Sequence, residues 1–161
     1  MALPLTTEPD ARYGSRRLAT HTSTDDVHAY FREAYYDAVQ DGEKGVDIKR
    51  SLEGGEAAAA QRDWMSQTLY ADIAWLIETL APGQRVLDAG CGTGDLLTDL
   101  TRRGFTAEGI ELAPEALQTA RAKGHTVHGG AFEGLAAAQP FDAVLFMHVL
   151  SHAAQPQAML E

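Results

Sequence analysis

The chain has 161 residues and a formal net charge of -10, a length that allows one domain with a buried core. That charge argues against a nucleic-acid partner, whose phosphates need clustered Lys and Arg. Cys91 is the single cysteine, which rules out an internal disulfide. No apolar run approaches the roughly 18 residues of a membrane span and the N-terminus lacks a signal-peptide stretch, so a cytoplasmic location is the default.

Residues 1–24 are rich in Thr, Ser and Arg without an apolar period, and read as a disordered arm. Residues 25–82 read as a helical region. Asp25 or Asp26 caps a helix through Tyr30, Phe31, Ala34, Tyr35 and Ala38, which recur at helical spacing. Glycines and charges in residues 40–56 predict a flexible connection. From Ala57 a long amphipathic helix carries Trp64, Met65, Leu69, Ile73, Leu76, Ile77 and Leu80, and Pro82-Gly83 stops it. Burial of Trp64 and Tyr70 against a sheet is expected.

From residue 83 onward strands and helices alternate, with strands at 85–89, 106–111, 125–128 and 141–147 and helices at 95–103, 114–122 and 131–138. Such alternation predicts an α/β fold, a Rossmann-like parallel sheet with flanking helices and ligands at the carboxyl ends of its strands. The turn after the first of these strands reads Asp88-Ala89-Gly90-Cys91-Gly92-Thr93-Gly94. Its glycines let backbone amides approach a ligand without side chains in the way. The usual dinucleotide fingerprint would need a third glycine where this chain has Asp95. Cys91 reads as a small residue beside the ligand rather than as a reactive thiol. Glu111 ends the second strand, about 20 residues after the loop, where a carboxylate suits the vicinal hydroxyls of a ribose.

The spacing D-x-G-x-G-x-G, the acid at Glu111 and the segment Phe141-Asp142-Ala143-Val144-Leu145-Phe146-Met147-His148 together resemble the class I S-adenosylmethionine-dependent methyltransferases of the small-molecule type. The resemblance implies S-adenosyl-L-methionine as cofactor, bound through Asp88, Gly90, Cys91, Gly92 and Gly94 of the loop and by Glu111 at the ribose. It implies Leu112, Ala131 and Phe132 around the adenine, and Met147 near the methyl group. It also implies that residues 83–161 form the cofactor core, with residues 25–82 as a cap over the acceptor, where Tyr30, Tyr35 and Tyr36 are suited to line a pocket. No metal is implied. The segment after the fourth strand lacks the proline box of the amino-methyltransferases, and the sole cysteine is misplaced for cytosine-C5 chemistry, which leaves a small-molecule acceptor with an O, N or C nucleophile. For a hydroxyl acceptor a neutral histidine suits the role of base, and His148 and His152 are the candidates. Each also has a bland reading: His148 as a cavity wall, His152 as an exposed side chain. His21, His28, His125 and His128 are assigned no role.

The apolar run Ala143-Val144-Leu145-Phe146-Met147 predicts a strand paired on both edges, yet the sequence continues only to Glu161. The expectation is a core incomplete after its fourth strand, with an apolar edge open to self-association. Alternatives are a fragment that binds the cofactor without turnover, or a nicotinamide-dependent oxidoreductase.

Overall fold

The computed structural model describes residues 7–12, 14–18, 23–43, 45–136, 138–153, 155–157 and 159–160. Strands β1 (Thr7–Asp10) and β2 (Ser15–Leu18) pair antiparallel as a hairpin. Arg16 fastens them with bonds of 2.8 Å to both the hydroxyl and the carbonyl of Thr7. Over these residues the expectation of a disordered arm is corrected, because cross-strand backbone pairing needs no apolar period; the rest of the arm lies outside the described residues.

Helix α1 (Thr24–Glu33) is capped by Ser23, whose hydroxyl accepts from the Asp26 amide, rather than by Asp25 or Asp26. The helix expected to run on through Ala38 breaks at Ala34, and α2 (Tyr35–Gln40) restarts beyond it. The break lets Tyr36 and Val39 turn inward, whereas α1 buries no residue. Helix α3 (Val46–Glu53) occupies the segment expected to be a flexible connection. Gly45 and Gly54 stand at its two ends with positive φ, so these glycines punctuate a helix instead of loosening a linker. Ile48 and Leu52, one turn apart, pack with Tyr36 against Ala113 and Ala116.

The long helix is two helices, α4 (Gly55–Gln67) and α5 (Leu69–Leu80), separated at Thr68, whose hydroxyl donates to the Trp64 carbonyl. Trp64 is 63% exposed, a correction to the expected burial; it lies on α4, which buries only Ala58. Tyr70 does pack against the core that Ile73, Ala74 and Ile77 of α5 build.

The second half follows the alternation: β3 (Arg85–Ala89), α6 (Asp95–Arg102), β4 (Thr106–Glu111), α7 (Pro114–Ala122), β5 (Thr126–Gly129) and β6 (Ala143–Leu145). These four strands pair in parallel in the order β5-β4-β3-β6. Val86 packs with α5 and α6 on one face, while Leu87, Ala89 and Ile110 meet Phe132, Phe141 and Phe146 on the other. The helix expected at 131–138 is only a 3-10 turn at Phe132–Gly134. Gly130 precedes this turn and Gly134 ends it, and neither favours a longer helix. The fourth strand is shorter than expected, and among the described residues it pairs only with β3. Val144 on this edge is 41% exposed.

Candidate cofactor and acceptor site

The carboxyl ends of β3 and β4 meet at the glycine loop. Gly90 and Gly92 have φ of 74° and 54°, left-handed values that favour glycine. The amides of Gly90 and Cys91 both donate to the Ile110 carbonyl, at 2.8 and 3.1 Å, which folds the loop back over β4. Glu111 then holds the loop from the side: its carboxylate accepts from the Gly92 amide and from the Ala113 amide, each at 2.8 Å. Burial pushes the Glu111 carboxyl up, and the backbone amides oppose that rise. The Leu112 amide also bonds this carboxylate, and of its roughly four acceptor positions one is left for a ribose hydroxyl.

Asp88 is buried beneath the loop, and among the described residues its Oδ1 has no hydrogen-bond partner. Burial, followed by the nearby Glu111 charge, pushes its carboxyl up to about 7. Cys91 turns its side chain into a core of Leu97, Ala120 and Val127, and burial raises its thiol well above the ordinary range, which makes it inert. Gly94 starts α6 with φ of 77°, and a Cβ there would lie 3.1 Å from both Ala120 and the His125 ring. It serves the close packing of α6 on α7.

A cavity of about 260 Å3 opens beside the loop. Gly90, Gly92, Glu111 and Leu112 form its floor, Ala131 and Phe132 one side, and Met147, His148 and His152 another. Asp88, Cys91 and Gly94 do not line it. From the cap come Tyr35 and Tyr36, while Tyr30 stacks edge-on against Phe31 and Tyr35 behind the wall. Sequence reasoning missed Thr24, Val27, His28 and Phe31 as a lining face of α1, although their spacing of three and four residues was a legible helical stripe. It also missed Ile48, because α3 was read as a connection. His28, assigned no role, lines the cavity with its Nε2 3.7 Å from Glu133.

His148 is the one non-glycine residue with positive φ, 57°, among the described residues. It lies three residues beyond the end of β6, not at the strand end the sequence suggests, and such strain is a feature of ligand sites. The His152 ring stands 5.0 Å from that of Phe31, brought there by a 3-10 turn at Leu150–His152. Both histidines thus border one cavity. Among the described residues no cluster of three His, Cys, Asp or Glu is arranged to hold a metal, and no helix is long and apolar enough to cross a membrane.

Parallel sheet, glycine loop and acidic strand end define a class I S-adenosylmethionine-dependent methyltransferase fold. The chain belongs to the family described as methionine biosynthesis protein MetW, matched over residues 70–161. It is 40% identical over 89 residues to the ubiquinone biosynthesis O-methyltransferase of Xylella fastidiosa, a match covering 49% of this chain and 35% of that protein. A similar match, 36% identical over 102 residues, is to the enzyme of the same description from Paracidovorax citrulli, covering 55% of this chain and 42% of that one. The chain therefore spans less than half the length of these relatives. Among solved structures, the SAM-bound magnesium protoporphyrin IX methyltransferase of Synechocystis shares the fold with a TM-score of 0.60 at 24% identity, covering 88% of this chain and 70% of that one. The SAM-bound amino pentose methyltransferase of Micromonospora echinaspora matches at 29% identity with a TM-score of 0.53, covering 66% and 50%.

Proposed function

We propose that the chain binds S-adenosyl-L-methionine in this cavity and serves methyl transfer to a small-molecule acceptor. The observation that carries this reading is the Glu111 carboxylate fixed at the end of β4 by the Gly92 amide, beside the side-chain-free backbone of Gly90 and Gly92, on the wall of one cavity. Glu111 suits a ribose hydroxyl, and Leu112, Ala131 and Phe132 suit the faces of the adenine. Asp88 supports the loop from beneath rather than by lining the cavity.

When bound, the cofactor supplies an activated methyl group on a sulfonium. The protein's task is then to orient the acceptor and exclude water, which contributes several kcal/mol to such reactions. Residues 25–82 form the acceptor cap in this reading, with Phe31, Tyr35 and Tyr36 as its apolar wall. The O-methyltransferases among the relatives favour an oxygen nucleophile. His148 or His152 accepts the hydroxyl proton as the new bond forms. Thermal unfolding with and without S-adenosylhomocysteine tests the reading: a concentration-dependent rise in Tm is expected, and a Tm unmoved at millimolar ligand contradicts it.

A further inference from the structure

The second half of the glycine loop is held by two side chains from outside it. Lys123, just past α7, donates to the Thr93 carbonyl and to Asp95 Oδ1, both at 2.7 Å. Ser51, on α3 of the cap, donates to Asp95 Oδ2 at 2.5 Å, and its oxygen lies 3.3 Å from the Thr93 hydroxyl. Asp95 is the first residue of α6 and directly follows Gly94 of the loop. Gly92, two residues before Gly94, is tied to Glu111 on the other side. Residues 92–95 are therefore fixed from three directions, by β4, by α7 and by α3.

The α3 tie differs from the others because it comes from the cap. Ile48, one turn before Ser51 on the same helix, lines the cavity. One short helix, closed at both ends by glycine, thus touches the cavity with one residue and the cofactor loop with another. A glycine-rich loop has large conformational freedom, and a ligand that needs one loop geometry binds more weakly in proportion to the fraction of time that geometry is absent.

We propose that Ser51 is a positioning residue that holds the Thr93–Asp95 segment in the conformation the adenosyl cofactor needs, an inference that rests on the cofactor reading above. The molecule contains its own control. Ser66 of α4 donates to Asp99 on the next turn of α6, also at 2.5 Å, so it ties the same helix to the cap in the same chemistry but away from the loop.

Calorimetric titration with S-adenosylhomocysteine separates the two. Ser51→Ala is expected to weaken affinity roughly three- to tenfold, the range of one lost hydrogen bond, while Ser66→Ala stays within about twofold of wild type. Ser51→Thr, which keeps the hydroxyl, is expected to restore most of the affinity. Ser51→Ala with wild-type affinity overturns the role, as does an equal loss in Ser66→Ala, which would mark a general effect of loosening α6. A wild-type chain that binds no S-adenosylhomocysteine overturns the cofactor assignment itself and this role with it.

Discussion

On the sheet side of the cavity Gly90 and Gly92 present bare backbone, and Glu111 is fixed by backbone amides, whereas on the helical side Val27, Phe31 and Tyr35 present side chains. The helices behind those side chains are held differently too, since α1 buries no residue while β3 buries four of its five. In the proposed reading the adenosyl cofactor meets the sheet wall, and the helical wall is left for the acceptor. Rigidity in the one comes from sheet pairing and buried polar contacts. The other is held by little buried surface, since its rings pack mainly on one another, Phe31 with Tyr35 at 5.0 Å and with His152 at 5.0 Å.

The contrast breaks most severely at Gly92. Gly92→Val puts a branched residue at φ 54° beside the ligand space, and a loss of S-adenosylhomocysteine affinity of about 100-fold or more is expected by calorimetry. Glu111→Gln keeps the shape of the side chain but removes its charge; affinity should fall about tenfold, the size of one charge-assisted bond. Truncation to Ala would be a poorer test, because the amides of Gly92 and Ala113 would lose their acceptor as well.

Asp88 sharpens the rigid side through pH. In the folded chain it keeps its proton up to about 7, whereas an unfolded aspartate releases it near 3.9. The folded state therefore binds more protons between those values, and this group's contribution to stability is present at low pH and lost as pH rises through the folded value. Asp88→Asn should raise Tm by at least ~2 °C more at pH 8 than at pH 5, measured by thermal unfolding without ligand; an equal change at both values refutes the assignment. The smallest effect belongs to the helical wall: Phe31→Ala should leave S-adenosylhomocysteine affinity within about twofold. A larger loss would mean that α1 helps to hold the cofactor.

The rigid wall was the legible one. Its strands follow from their regular alternation with helices, and Glu111 ends β4 where the spacing from the loop predicts. Its internal bonds were not legible, since nothing in a sequence tells that Glu111 grips the Gly92 amide or that the Cys91 thiol points into the core. In the cap, local signals misled. Gly45 and Gly54 read as flexibility but cap α3, and the apolar stripe of 57–80 hid the break at Thr68 and the exposure of Trp64. Helix ends of this kind depend on what packs nearby, so periodicity alone fixes the presence of helices better than their limits.

The central claim is that the glycine loop and Glu111 form an adenosyl site, and calorimetric titration of the chain with S-adenosylmethionine, S-adenosylhomocysteine and NAD tests it most directly. Saturable binding of both adenosyl ligands at one site per chain, with no heat of binding for NAD, is the predicted result. A folded chain that binds NAD, or binds none of the three, would contradict the account.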